Sequence, residues 1–240
     1  MLLDVNGLTK AFAGLVAVKE VDFTVRKGEI LGLIGPNGAG KTTIFHLLTG
    51  YHKPTAGTIR FNGKDMTSIT PPDACRLGLA RTFQIVKPLV QLTVLENVMV
   101  GAFARIRNAK KARELSMEIL EFTGQIAYKD MLAGNLTLGM RKQMEVSRAL
   151  ATQPELLLLD ECMAGLNSNE IADAVKLIMK IRERGITLVV IEHVMKAIMS
   201  ISDRIVVINY GKKIMDGTPE AVVNDEKVIE AYLGADYAKR

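Results

Sequence analysis

Residues 35–43 read GPNGAGKTT and set Gly35, Gly40, Lys41 and Thr42 at the spacing G-x-x-x-x-G-K-[ST]. Glycines let a backbone curl until successive N–H groups point at one anion. A helix that follows aims the positive end of its dipole at the same place. The chemistry is the grip of a phosphate chain. Gly35, Pro36, Asn37, Gly38, Ala39, Gly40, Lys41, Thr42 and Thr43 form the cradle. Lys41 reaches the β- and γ-phosphates, and the Thr42 hydroxyl ligates Mg²⁺. A Gly-rich turn with a chance lysine would lack the flanking context. Here the apolar run Ile30 to Ile34 precedes the loop, and the helical pattern KTTIFHLLTG of residues 41–50 follows it.

A second set lies at residues 156–161, LLLLDE, where two carboxylates close an apolar strand. Ligands of open α/β sheets bind beyond the carboxyl ends of strands. Asp160 is placed to hold Mg²⁺ through its water shell. Glu161 is placed to polarise the water that attacks the γ-phosphate. The competing reading makes the two acids caps of the next helix. Cys162 reads as a small packing residue rather than a nucleophile, with no histidine near it in sequence.

The elements that must position these groups follow from pattern. Loosely alternating apolar residues make residues 1–34 strands, and Asn62-Gly63 turns a hairpin after Thr58 to Phe61. Helical patterns dominate after Pro71-Pro72, including 109–123 and 141–152. After Pro154, strands at 156–159, 186–191 and 204–208 alternate with a helix at 169–184, which predicts a parallel sheet covered by helices. The predicted division is a core of residues 1–84 and 151–240, with a mostly helical subdomain at about 85–150.

The 240 residues are 48% apolar and 24% charged, an ordinary globular composition. The net charge of +5 is mild and scattered, without the dense basic stripe of a nucleic-acid footprint. Cys75 and Cys162 lie far apart and read as reduced thiols of a cytosolic protein. The start, MLLDVNGLTKAF, has no apolar core of signal-peptide length. Every apolar run falls short of the ~20 residues that span a bilayer, so a role at a membrane needs another component to hold the chain there.

Taken in order, the motifs resemble those of the ATP-binding subunit of an ABC transporter, over nearly the whole chain. GPNGAGKTT is similar to the Walker A loop and LLLLDE to Walker B. Gln84 in RTFQ matches the Q-loop, LTLGM of 136–140 the signature usually written LSGGQ, AGLN of 164–167 the D-loop, and His193 in IEHVMK the switch histidine. The resemblance implies an α/β P-loop NTPase with a mostly parallel sheet core, an N-terminal antiparallel β subdomain and an inserted α-helical subdomain. It implies ATP and Mg²⁺, with Thr42, Gln84 and Asp160 on the ion and Glu161, His193, Gln84 and Lys41 in hydrolysis. Phe12 lies where an aromatic ring stacks on adenine, although its ordinary reading is core. His193 alone would read as a structural histidine, and Gln84 alone as a surface or capping residue.

In that family two subunits sandwich ATP head to tail, so Thr137, Leu138 and Gly139 would meet the nucleotide of the mate. Physically the signature is a helix N-terminus offering N–H groups and dipole. Thr137 keeps the hydroxyl of the usual serine and Gly139 keeps close backbone access. Leu138 replaces a glycine, Met140 a glutamine and Cys162 a proline, and the last change predicts a slightly looser turn.

The combination ARTFQ, LTVLENV, DECMAGLN, IEHVMK and VIEAYLG is similar to the branched-chain (hydrophobic) amino acid uptake family. The implied partners are a second ATPase subunit, two transmembrane permease subunits and, indirectly, a solute-binding protein. The implied place is the cytoplasmic face of the inner membrane, as a peripheral subunit. In residues 84–98, Ile85, Val86, Pro88, Leu89 and Val90 read as a docking surface for the permease or as a buried part of the helical subdomain. The chain stops soon after Leu233-Gly234 without an added regulatory domain. The alternatives are an importer ATPase for urea or short amides, an ABC-type ATPase acting on nucleic acid, and a non-catalytic nucleotide sensor. The second lacks a coiled-coil insertion or zinc hook here, so no nucleic acid is expected, and an intact Glu161 has no use in the third.

Overall fold

The computed structural model describes residues 1–84 and 87–233, with Leu233 by its backbone alone. Ile85, Val86 and Gly234, which carry part of the reading above, lie outside the described residues. The chain opens with β1 (Leu3–Phe12), β2 (Leu15–Val25), β3 (Ile30–Ile34), α1 (Lys41–Leu48), β4 (Ala56–Phe61) and β5 (Lys64–Asp65). It continues through α2 (Pro71–Leu77), β6 (Leu79–Arg81), α3 (Val94–Ala102), α4 (Ala109–Phe122) and α5 (Leu138–Leu150) to β7 (Leu156–Asp160) and α6 (Ser168–Glu183). It closes with β8 (Thr187–Ile191), α7 (Met195–Ile201), β9 (Arg204–Asn209), β10 (Lys212–Gly217), α8 (Pro219–Val223) and α9 (Glu226–Leu233). Two compact units result: Met1–Ala74 with the chain from Thr187 on, and Cys75–Ile186.

In the first unit, β2, β1, β4 and β5 pair in that order as an antiparallel sheet. The register sets Leu3 opposite Val25 and Phe61, and Val5 opposite Phe23 and Ile59. All six side chains are buried, so the period-two alternation of a half-covered sheet fixes the register. Beside it runs the order β10-β9-β3-β8, with β3 parallel to both β8 and β9 and β10 antiparallel on β9. Every residue of β3 and β8 is buried. That is why ILGLI and TLVVI read as unbroken apolar runs rather than alternating ones.

In the second unit, β6 and β7 pair in parallel, with Leu79 opposite Leu156 and Arg81 opposite Leu158. β7 is buried throughout. α3, α4 and α5 pack on one another. α3 starts at a capping box in which the Thr93 side chain takes the Glu96 N–H and the Glu96 carboxylate takes the Thr93 N–H. The α/β class predicted from the sequence is the class observed. Among the described residues of 87–98, some are exposed and some are core. Leu89 and Val90 are exposed, whereas Val94, Leu95 and Val98 form the inner face of α3. Among the described residues no helix is long and apolar enough to cross a membrane.

Candidate active site

The phosphate loop lies in the first unit, between the end of β3 and the start of α1. Gly40 caps α1 in the left-handed region at φ 106°. A Cβ on Gly35 would lie 2.0 Å from the Ile208 carbonyl oxygen, and one on Gly40 2.5 Å from that of Ala17, so both positions require glycine. Lys41 is buried, and its Nζ donates to the carbonyl oxygens of Gly35 at 2.7 Å and Pro36 at 2.9 Å. The ammonium is therefore folded onto the loop itself. Thr42 and Thr43 are half-buried in a first helical turn that contains no acidic residue, so no side chain of that turn opposes an anion. These features fit a polyphosphate. Tyr232 of α9 joins the loop through a hydrogen bond with the Gly35 backbone. Burial pushes its hydroxyl up to about 12 against the pull of that bond.

Phe12, at the end of β1, is not core: it is 38% exposed. Its ring meets the His52 ring edge-on at 5.2 Å, and the Lys10 ammonium lies 5.0 Å from its centre. Such a half-open ring can take a flat partner. His193 follows β8 and is exposed rather than packed. Its backbone N–H donates to the carboxylate of the buried Glu192 at 3.3 Å.

In the second unit, β7 ends on the buried Asp160, whose Oδ2 accepts from Arg81 Nη2 at 2.8 Å. The guanidinium carbon lies 4.7 Å from the centre of the Phe83 ring. Glu161 has a φ of 50°, a left-handed conformation that costs a non-glycine residue on the order of 1 kcal/mol or more. Its Oε2 accepts from Gln84 Nε2 at 2.9 Å. The competing capping role falls away, because α6 is capped by Asn167 with Glu170 as its reciprocal partner. Cys162 is half-buried and lines a cavity of about 540 Å³ together with Met140, Lys142 and Leu166, so it borders space rather than filling it.

The 136–140 segment forms a helix tip. Thr137 caps α5, its oxygen accepting from the Met140 N–H at 3.3 Å. The cap takes one of the first free N–H groups and leaves those of Leu138 and Gly139 at the tip. Gln125, fully buried, donates to the Met140 carbonyl at 2.9 Å, and Arg141 donates to the Gly134 carbonyl at 2.7 Å. A Cβ on Gly139 would lie 2.6 Å from Glu170 Oε1. Leu138 is 51% exposed, and its Cδ2 would lie 3.1 Å from a Cβ on Gly165. The two departures from the family pattern at 138 and 140 thus leave the tip backbone supported on both sides.

Arg81, Gln125, Lys142, Glu145 and Tyr232 escaped the sequence reading. For Arg81 a signal existed, since it stands in the quoted ARTFQ. Tyr232 likewise stands in the quoted VIEAYLG, whereas Gln125, Lys142 and Glu145 carry none in isolation.

The ABC transporter family matches residues 18–164, and the family described as branched-chain amino acid ATP-binding cassette transporter matches residues 212–238. The chain is 41% identical to the high-affinity branched-chain amino acid transport ATP-binding protein LivG of Escherichia coli (strain K12), over 97% of this chain and 98% of that protein. It is 40% identical to the protein of the same description, BraF, of Pseudomonas aeruginosa, over the same shares. Among solved structures it is similar to a nucleotide-free ATP-binding cassette from an ABC transporter. There the TM-score is 0.89 and the identity 31%, over 96% of this chain and 98% of that one. A phosphate loop built around obligate glycines, an acidic strand end engaged by Gln84 and a capped helix tip accord with these matches, and the chain belongs to the ABC transporter family.

Proposed function

We propose that this chain is the ATP-hydrolysing subunit of an importer of branched-chain amino acids. It works as a dimer with a second ATPase chain, against two permease subunits fed by a solute-binding protein, at the cytoplasmic face of the plasma membrane. The observation that carries hydrolysis is the 2.9 Å hydrogen bond from Gln84 to Glu161. A carboxylate held by a neutral amide is aimed without being tied up by a cation, as a general base for water must be. Residues 35–43 hold the triphosphate and Lys41 turns from its loop carbonyls to the β- and γ-phosphates. Phe12 lies against adenine, and His193 serves the γ-phosphate end.

Thr42, Gln84 and Asp160 provide hydroxyl, amide and carboxylate oxygens, the hard donors that suit Mg²⁺. Gln84 gives its amide nitrogen to Glu161, which leaves the amide oxygen for a cation. When bound, Mg²⁺ would neutralise charge on the β- and γ-phosphates. The tip of Thr137, Leu138 and Gly139 closes on the nucleotide of the mate. Residues of about 85–150 act as the subdomain that carries this tip, and 1–84 with 151–240 as the ATP-binding core. The exposed Leu89 and Val90 offer the permease an apolar foothold. The cargo rests on the high identity to LivG and BraF along the whole chain.

The test is transport by vesicles holding the chain with its permeases, supplied with the solute-binding protein outside and ATP inside. Leucine, isoleucine and valine are expected to accumulate only with ATP, and not with Glu161→Gln. Uptake of urea or short amides in their place would overturn the cargo. Uptake that ignores ATP would overturn the motor.

A further inference from the structure

Helix α5 presents Thr137–Met140 at its start, and within its next two turns it buries two charges. Lys142 is 7% exposed and Glu145 is 4% exposed. Buried charges are costly where an apolar side chain would pack, so their partners matter. Lys142 Nζ donates to the backbone carbonyl oxygen of Glu161 at 2.6 Å. That oxygen also accepts from the Ala164 N–H at 3.3 Å. Glu145 Oε1 accepts from the Phe83 N–H at 3.2 Å, one residue before Gln84. One helix therefore grips the main chain at Glu161 and at Phe83, the residue before Gln84. The left-handed backbone of Glu161 needs such a grip, because relaxation of its φ would swing the carboxylate away.

We infer that Lys142 and Glu145 are positioning residues through which the helix that closes on the mate's nucleotide sets the catalytic carboxylate of its own chain. This rests on the assignment of Glu161 as the general base. Lys142 holds the Glu161 main chain, and Glu145 holds Phe83 in the segment after β6 that carries Gln84. Neither touches nucleotide. Both belong to a rigid rod whose N-terminal tip is the part that meets the other subunit. Engagement of the tip at one nucleotide thus reaches the base that serves the other.

The experiment compares Lys142→Met, Lys142→Arg and Glu161→Gln in the full chain. Steady-state ATP hydrolysis, binding of a non-hydrolysable ATP analogue and thermal unfolding are measured. Lys142→Met is expected to lower kcat about tenfold or more while KM and analogue affinity stay within about twofold, and Lys142→Arg to recover most of kcat. A kcat for Lys142→Met within about twofold of the original overturns the inference, as does an arginine variant no better than the methionine. Glu145→Leu against Glu145→Gln reads the other arm even if Lys142→Met does not fold. Glutamine keeps an acceptor for the Phe83 N–H and should retain more kcat than leucine, so equal values in that pair also overturn the inference. Undiminished turnover in Glu161→Gln would remove the base itself. Collapse there with full turnover in Lys142→Met would remove only the positioning role.

Discussion

Gln84 and Glu161 are 77 residues apart in sequence and joined at 2.9 Å through their side chains, in the segments that follow two paired parallel strands. The bond holds the carboxylate by a neutral donor. With Glu161→Gln, ATP should still bind, hydrolysis should fall on the order of 10²-fold or more, and an ATP-stabilised dimer should accumulate. Gln84→Ala, which keeps the base and loosens its aim, should cost about tenfold. Phosphate release and size-exclusion chromatography with ATP check both.

Lys41→Ala removes the one ammonium folded into the loop at Gly35 and Pro36. Nucleotide affinity should fall by about tenfold or more, since a charge-assisted contact to phosphate is worth about 1.5–3 kcal/mol. Calorimetric titration with ATP measures it, and normal affinity would count against the phosphate-loop assignment. His193→Ala, at an exposed position, should instead slow hydrolysis more than it weakens binding.

The pair of Arg81 and Asp160 is buried on both sides, at 2.8 Å. Arg81→Met keeps the bulk and removes the cation that Asp160 faces. Such truncations cost about 3–5 kcal/mol, so the midpoint of thermal unfolding should drop by several degrees or more. A midpoint within a degree of the original would show that the ion pair does not stabilise the strand end.

Burial pushes the Glu145 carboxyl up to about 7, against the opposing pulls of Arg148, the Phe83 N–H, Lys142 and Arg81. A carboxyl raised on folding binds its proton more tightly in the native state. Its contribution to stability is therefore full below about pH 4.5 and is lost as pH rises through about 7. The whole effect is at most about 3 kcal/mol. Glu145→Gln should flatten that part of the stability profile, and denaturant unfolding from pH 4.5 to 8 measures it. An unchanged slope would mean that Glu145 titrates normally.

What was legible in the sequence was local. Gly35, Gly40 and Lys41 announce a loop by spacing, and β3, β7 and β8 announce themselves as apolar runs because strands covered on both faces cannot alternate. The tip at 136–140 was legible through its order among other motifs, with Thr137 as a good cap. Pairings between distant residues were not legible. Lys142 and Glu145 lie on an amphipathic helix where a charge ordinarily faces water, and only the fold reveals that the main chain just after β6 and β7 supplies their partners. Composition also could not separate Leu89 and Val90 from Val94, Leu95 and Val98. Equally apolar residues sit on a surface loop in one case and on the inner face of α3 in the other.

The Thr137 oxygen that caps α5 leaves its own hydroxyl proton unspent. Side chains that cap well are few: serine, threonine, aspartate and asparagine. On the proposed closure over the mate's nucleotide, aspartate would hold the helix but bring a negative charge toward a phosphate, and alanine would surrender the cap. The proposed closure thus favours neutral caps that keep a donor, the alcohols and asparagine, which serve the helix with a lone pair and the phosphate with a proton. Thr137→Ser should pass unnoticed, while Thr137→Asp should fold well and refuse its mate.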